Sequence, residues 1–173
     1  GKTWTRIDAG IPDGHYTRVI REDPEVPGLL YVGTERGAWT SFDGGAHWQS
    51  LSLNLPPVPV HDLVVKEGDL VVATHGRSFW VMDDVSPLRQ LSKQVVEKDA
   101  HLFAPSVAYR TQWGGGRGES MGANPSSGAV VRYWLAKPGQ TVTLDFMDAA
   151  GKVIRSFTSE QDPATRADSL SRD

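Results

Sequence analysis

The chain has 173 residues, no cysteine and a formal net charge of −3. The length allows one or two domains. The lack of cysteine excludes disulfides and thiolate metal sites, and the negative charge argues against a nucleic-acid surface. No apolar run reaches the roughly 20 residues of a membrane-spanning helix. Glycine, proline and tryptophan are plentiful (18, 11 and 6 residues), which favours a turn-rich, all-β protein.

The first group of predicted strands covers residues 16–53. Apolar and polar residues alternate there in short runs that are separated by Gly, Pro and Asp, as expected for strands joined by tight turns. The four strands are predicted at 16–21, 29–34, 38–41 and 48–53. An earlier strand is predicted at 5–7, before a loop rich in turn-forming residues.

The segment between the third and fourth strands is a distinctive turn, Ser41-Phe42-Asp43-Gly44-Gly45-Ala46-His47-Trp48. Short polar side chains such as those of Ser41 and Asp43 can accept hydrogen bonds from the amides of their own turn. The two glycines supply positive φ angles, which other residues resist, and the tryptophan can cover the turn. We therefore interpret five of these residues as structural: Ser41, Asp43, Gly44, Gly45 and Trp48. Gly1 and Trp4 are interpreted as the end of another such turn.

A second group of strands is predicted at 61–66, 70–74 and 78–82, followed at 87–91 by an outer strand or a short helical turn. Trp39 and Trp80 are 41 residues apart, as are Asp43 and Asp84, which indicates an internal repeat. Asp83 and Asp84 form a paired carboxylate that could bind a cation or act on a glycoside. Adjacent strand residues point to opposite faces, so a role in the turn is favoured.

The remaining residues contain shorter predicted elements. Residues 102–105 and 107–110 look extended, residues 114–127 form a glycine-rich linker, and residues 159–173 form a polar tail that is disordered or belongs to a truncated module. Three strands are predicted in between, at 129–135, 141–147 and 152–157.

The turn at 41–48 resembles the Asp-box, or bacterial neuraminidase repeat, of sialidase-like and sortilin-like β-propellers. Trp4 and Trp48 are 44 residues apart, within the range of about 40–45 residues for a four-stranded propeller blade. The hairpin at 142–157 is similar to part of a small Ig-like sandwich. The resemblance implies an all-β fold: a partial β-propeller of about two four-stranded blades at 1–113, and the first strands of an Ig-like β-sandwich at 128–158.

The order of these motifs is similar to the C-terminal part of bacterial sortilin-like proteins and putative glycosyl hydrolases. The resemblance implies that the chain is a fragment of an exported, extracellular or periplasmic protein whose other blades complete the propeller. The parent is expected to be carbohydrate-binding or carbohydrate-active. The alternatives are a non-catalytic, sortilin-like propeller that binds peptides or proteins, and a structural assembly module. The residues contain no convincing catalytic set and no cofactor motif, so the fragment itself is expected to be inactive.

The candidate ligand site is the propeller mouth, where the turns between second and third strands meet the approaches to the inner strands. Guanidinium groups there suit saccharides or peptide carboxylates. The candidate binding residues are Arg77, His75, Arg36, Glu35 and His61, with His15, Tyr16 and Asp62 as neighbours. The competing interpretation is that they are solvated loop residues. The histidines at 15, 47, 61, 75 and 101 show no metal-binding spacing, so no metal site is predicted.

Overall fold

The computed structural model describes residues 1–109 and 128–160. Its regular structure is almost entirely β, in small antiparallel sheets, and the described strands form no closed barrel. The chain forms two compact units, Gly1–Trp134 and Leu135–Asp173. The predicted linker at 114–127 and nearly all of the predicted tail at 159–173 lie outside the described residues. No helix in the described part of the chain is long and apolar enough to cross a membrane.

The first sheet has four antiparallel strands in the order β1-β2-β3-β4. They are β1 (Thr17–Glu22), β2 (Leu30–Thr34), β3 (Gly37–Ser41) and β4 (Gln49–Ser50). The predicted strand at 48–53 is therefore much shorter than expected. It ends at Ser50, and Leu53 has a φ of 47°, outside the extended region. The predicted strand at 5–7 is not formed, since no described strand pairs with it.

The second sheet has three antiparallel strands, β5 (Val60–Lys66), β6 (Asp69–Thr74) and β7 (Phe79–Met82). Among the described residues this sheet has no fourth strand. Two short helices follow instead, α1 (Ser86–Gln90) and α2 (Lys93–Val96). Pro87 explains the difference, because proline cannot donate to a strand ladder but suits the first turn of a helix. Of the two alternatives for 87–91, the helical turn is the one observed.

The two sheets share irregularities and hydrogen bonds at equivalent positions. The register of the first strand shifts between Thr17 and Val19 in one sheet and between Val60 and Asp62 in the other. Two backbone hydrogen bonds of the first sheet also have equivalents in the second. The amide of Glu35 donates to the carbonyl of Tyr16 (3.0 Å), as the amide of His75 donates to that of Pro59 (2.9 Å). The amide of Gly44 donates to the carbonyl of Gly28 (3.0 Å), as the amide of Val85 donates to that of Gly68 (2.7 Å). The sheets are thus structural repeats of one another.

The core lies between the two sheets, where β5 packs against β1 and β2. Its fully buried members include Tyr31 from the first sheet and Leu63 and Leu70 from the second. Gly33 permits the close approach of the sheets. A Cβ at this position would lie 2.5 Å from Cγ1 of Val60, so any larger residue would push the sheets apart.

A buried carboxylate joins the exit of the second sheet to the first sheet. Both carboxylate oxygens of Asp23 accept hydrogen bonds from Nε of Arg89, at 3.1 and 3.0 Å. Asp23 also accepts from the amides of Glu25 (2.9 Å) and Val26 (3.1 Å) and from the hydroxyl of Tyr31 (3.2 Å). Burial raises the pKa of Asp23, but these hydrogen bonds and the guanidinium charge outweigh it and hold the pKa below its ordinary value.

The last described strands differ from the predicted arrangement. β8 (Ala100–Leu102) pairs with β9 (Tyr133–Leu135), and the amide of Phe103 donates to the carbonyl of Arg132 (3.1 Å). The predicted strand at 129–135 is therefore attached to β8 rather than to the hairpin that follows. That hairpin consists of β10 (Thr143–Met147) and β11 (Val153–Thr158), paired antiparallel.

Replacing Arg89 by alanine should destabilise the first unit strongly. The variant leaves the Asp23 charge buried without its guanidinium partner, and breaking a buried ion pair in this way typically costs roughly 3–5 kcal/mol. The free energy of unfolding, measured by urea denaturation, should fall accordingly.

A matched control is Lys93→Ala, which removes an exposed pair with Glu97 (3.9 Å) in α2. Exposed pairs contribute about 0–1 kcal/mol, so this variant should resemble the wild type. Equal effects of the two substitutions would show that the Asp23–Arg89 pair does not hold the sheets together.

Candidate functional site

The turn at 41–48 is held by the side chains of Ser41 and Asp43. Oγ of Ser41 accepts hydrogen bonds from the amides of Gly45 (2.9 Å) and Asp43 (3.3 Å), and donates to Oδ1 of Asp43 (2.8 Å). The same Oδ1 accepts from the amide of His47 (2.8 Å), and Oδ2 lies 2.7 Å from Nδ1 of that histidine. Both oxygens of the carboxylate are thus used inside the turn.

The glycines and the tryptophan of the turn have distinct roles. Gly44 and Gly45 have φ angles of 70° and 94°, which other residues adopt only with strain. Trp48 is buried, and its indole Nε1 donates to the carbonyl of Ile7 (2.6 Å) while its amide donates to that of Ala9 (2.8 Å). The turn is thereby fastened to the segment that precedes the first sheet.

The hydrogen bond from His47, above all, lowers the pKa of Asp43 to about 2. A carboxylate that is ionised at neutral pH and occupied by local donors is suited to holding a turn, not to donating a proton. The other predicted turn differs. Trp4 is 94% exposed, and neither it nor Gly1 belongs to a strand, so their assignment to a second such turn stays a prediction.

The β2–β3 and β6–β7 turns are built alike. The hydroxyl of Thr34 donates to the carbonyl of Gly37 (3.0 Å), and the hydroxyl of Thr74, at the equivalent position, donates to the carbonyl of Ser78 (2.6 Å). Each turn is also bonded to a tryptophan of the following strand, through Trp39 Nε1 to Thr34 Oγ1 (3.3 Å) and Trp80 Nε1 to Arg77 O (2.9 Å). Hence Glu35-Arg36 and His75-Arg77 occupy corresponding turns of the two repeats.

Two acidic residues at this end of the sheets are neutralised by arginines of β1. Glu35 pairs with Arg18 (2.6 Å) and Asp62 pairs with Arg21 (2.8 Å). The second of these pairs joins the two sheets. Sequence reasoning missed both arginines, although they lie in the alternating run Thr17–Glu22 that predicted β1.

Arg36 and Arg77 are both exposed, and neither forms an ion pair with another residue of the described ranges. Glu35 and Asp62 are therefore not their partners. Because the nearby carboxylates are already paired, the two guanidinium groups keep their full positive charge and their donors available for a ligand.

The structure brings the predicted histidines His61 and His75 together. Their ring centroids are 5.1 Å apart and the rings are inclined by 31°. His15, from the approach to β1, instead contacts Trp39 edge-to-face with centroids 5.7 Å apart. Nδ1 of His15 is buried and has no hydrogen-bond partner among the described residues. The imidazoles thus form two separate aromatic contacts and not a single cluster.

The paired carboxylate at 83–84 contributes to a turn through Asp84. This residue has a φ of 62°, accepts from the amide of Ser86 (3.1 Å) and forms an ion pair with Arg132. Burial raises the pKa of Asp84, but the bonds from Ser86 and the charge of Arg132 bring it below its ordinary value. Asp84 therefore anchors the residue that immediately precedes β9.

A cleft of about 600 Å³ lies between the segment before β1 and the first sheet. Ile7, Ile20 and Val32 provide apolar lining, while His15 and Arg18 also line it. A concave, largely apolar surface of this size is typical of a place where another group packs. It shares His15 and Tyr16 with the predicted mouth but none of the five candidate binding residues.

Comparisons of this chain with protein-family models, with curated proteins and with solved structures found no match. The Asp-box assignment of 41–48 and the propeller assignment of the two sheets therefore remain predictions. The function of the site is inferred from its residues and their geometry.

Replacing Asp43 by alanine should lower the free energy of unfolding by about 0.5–2 kcal/mol, by analogy with the loss of a side-chain cap. Because the folded-state pKa is depressed, the stabilisation is present above the ordinary aspartate pKa of about 3.9 and is lost as pH falls from there towards 2. The stability difference between wild type and variant should shrink across that interval in denaturation curves.

Asp99→Ala is a suitable control, since Asp99 is exposed and no hydrogen bond or ion pair joins its side chain to another described residue. This variant should show no difference at either pH. If Asp43→Ala instead kept full stability and abolished ligand binding, the turn would be a binding site and its structural interpretation would be wrong.

Proposed function

We propose that the first unit is part of an Asp-box β-propeller that binds an acidic saccharide at the end of the sheets carrying the β2–β3 and β6–β7 turns. In this proposal each sheet is one blade, and the β10–β11 hairpin belongs to an Ig-like module. The equivalent hydrogen bonds and register shifts of the two sheets support the blade assignment. The hydrogen-bonded turn at 41–48 supports membership of the Asp-box class.

The observation that carries the binding proposal is the charge arrangement at these turns. Glu35 and Asp62 are neutralised by β1 arginines, whereas Arg36 and Arg77 occupy corresponding turns without ion pairs to described residues. Each of these turns therefore carries a guanidinium that no described carboxylate pairs with, on a chain with a net charge of −3. A cationic group of this kind attracts anions, and guanidinium forks match carboxylates in geometry.

The neighbouring imidazoles of His61 and His75, with ring centroids 5.1 Å apart, add further contact groups to this surface. An imidazole offers a hydrogen-bond donor and an acceptor, which suits sugar hydroxyls, and its apolar ring face suits the C–H face of a pyranose. A ligand that combines a carboxylate with several hydroxyls fits both groups of side chains. This combination favours an acidic saccharide over a simple anion.

Binding, rather than hydrolysis, is the function that these residues support. Glycosidases use two carboxyl groups about 5–10 Å apart on either side of the scissile bond. Glu35 and Asp62 are each committed to an arginine, and Asp43 is committed to its turn. In a carbohydrate-active parent protein, the catalytic carboxylates would come from other parts of a longer chain. An exported location would bring that protein into contact with extracellular saccharides.

The double variant Arg36→Ala/Arg77→Ala should bind acidic oligosaccharides at least tenfold more weakly on a glycan array and in titration calorimetry, because loss of one charged hydrogen bond costs about 1.5–3 kcal/mol. Neutral oligosaccharides should bind unchanged. The lysine double variant should recover only part of the affinity, since an ammonium lacks the bidentate fork.

Arg155→Ala is the matched control, because its guanidinium lies over Phe157 in the second unit and should not affect binding. Loss of binding to a peptide C-terminus, with saccharides unaffected, would assign the surface to the sortilin-like alternative. If none of these ligands distinguishes the double variant from the wild type, the surface is a scaffold and the binding proposal is wrong.

A further inference from the structure

The imidazoles of His61 and His75 form a pair at one end of the second sheet. His61 lies in β5, where the pairing of β5 with β6 shifts register. His75 directly follows Thr74, the last residue of β6. Because Val60 is paired with Thr74, the residues that follow these two positions lie close together. The centroids of the two rings are accordingly 5.1 Å apart.

The backbone that carries the pair is held by hydrogen bonds. The amide of His75 donates to the carbonyl of Pro59 (2.9 Å), immediately before β5. The hydroxyl of Thr74 donates to the carbonyl of Ser78 across the β6–β7 turn (2.6 Å). The strand pairing and the turn therefore set the separation of the two rings. The orientation of each ring is adjustable, because χ2 of histidine has broad energy minima.

The nitrogens of the two rings are available to a ligand. Both residues are exposed, and no hydrogen bond joins the side chain of either to another residue of the described ranges. A neutral imidazole then offers one unshared electron pair in addition to its N–H group. The other histidines have different neighbours: His15 packs against Trp39, His101 packs against Phe103, and His47 is hydrogen-bonded to Asp43.

The separation of the rings matches that of two imidazoles bound to one metal ion. Zinc binds an imidazole nitrogen at about 2.0–2.1 Å, hence roughly 3.2 Å from the ring centroid, and two such rings at a tetrahedral angle have centroids about 5 Å apart. The observed 5.1 Å agrees with this value. Neutral imidazole is also a preferred ligand of zinc, nickel and copper.

We propose that His61 and His75 together bind one divalent transition-metal ion, with zinc as the ion to test. In the described part of the chain no group of three or more histidine, cysteine or acidic side chains could hold a metal. The protein therefore supplies two ligands, and water or an oxygen atom of another molecule supplies the others. Sequence spacing missed the pair because H-x-x-x-H describes two histidines on one helix, whereas these lie on neighbouring strands.

The charges near the pair determine what else the ion attracts. Asp62, next to His61, is neutralised by Arg21, and Arg77 lies in the same turn as His75. A nearby guanidinium repels a cation, which weakens the binding of the bare ion and favours an anionic molecule at its open positions. The two imidazoles are sufficient for the site, so the metal proposal does not depend on saccharide binding.

Titration calorimetry of the full 173-residue chain with zinc chloride, without saccharide, tests the site. The wild type should bind one equivalent of zinc. His61→Gln and His75→Gln should each abolish this binding. Loss of a group that only orients a metal ligand costs roughly 10–100-fold in affinity, so loss of one of two ligands should cost at least as much. Both positions are exposed, so circular dichroism should show an intact fold.

Two controls separate the site from general effects of substitution. His101→Gln, which changes a histidine outside the pair, should bind zinc like the wild type. Arg36→Ala/Arg77→Ala should bind zinc at least as tightly as the wild type, because the variant removes positive charge. The same arginine variant should lose the acidic saccharide, so the two proposals predict opposite results for it.

Two further measurements show whether the histidines share one ion. In NMR spectra of the wild type, one equivalent of zinc should shift the imidazole signals of His61 and His75 and leave those of His101 unchanged. His61→Gln/His75→Gln should lose no more affinity than either single variant, because residues that act on one partner have non-additive effects.

Three outcomes would overturn the proposal. A wild type that binds no zinc would show that the pair is only an aromatic contact. Binding that persists in either single variant would place the ion elsewhere, and additive losses in the double variant would indicate two separate sites with one histidine each. Saccharide binding measured in the presence of a metal chelator decides the saccharide proposal independently.

Discussion

The buried carboxylate of Asp23 is the interaction on which the arrangement of the two sheets depends. It organises the β1–β2 turn through the amides of Glu25 and Val26, and it holds Arg89 at the exit of the second sheet. One group therefore fixes both a local turn and a contact between residues 66 positions apart. A charge in this place is stable only while all its donors are present, so the turn, the sheet packing and α1 are energetically coupled.

The strands that could be predicted from sequence are those with alternating apolar residues and glycine or proline at their ends. β1, β2, β3 and β5–β7 lie within one or two residues of their predicted limits, because the alternation records which side chains face the core. The short β4 and the position of β9 could not be predicted in this way. β4 ends at Ser50, shortly before the left-handed Leu53, and β9 is placed by Arg132, whose partners lie far away in sequence.

In the candidate site, too, the sequence predicts which residues lie near each other but not which side chains pair. Chain order places the β2–β3 and β6–β7 turns at one end of the sheets, so the grouping of Glu35, Arg36, His75 and Arg77 follows from the strand pattern alone. Which carboxylate pairs with which arginine does not follow, because Arg21 reaches Asp62 only through the packing of β1 on β5. The charge available to a proposed ligand is that of the arginines left without a carboxylate partner. Counting charged residues in the sequence does not identify them.

The geometry of β3 explains how stability and the proposed binding can be separated in this repeat. The strand runs from Gly37, beside the arginine-bearing turn, to Ser41, where the hydrogen-bonded turn begins. Five residues in extended conformation span about 17 Å, which is further than the Debye length of about 8 Å at physiological ionic strength. The Asp43 charge is also compensated by donors of its own turn. Substitutions at one end therefore change the free energy of unfolding, whereas substitutions at the other change the charge offered to a ligand.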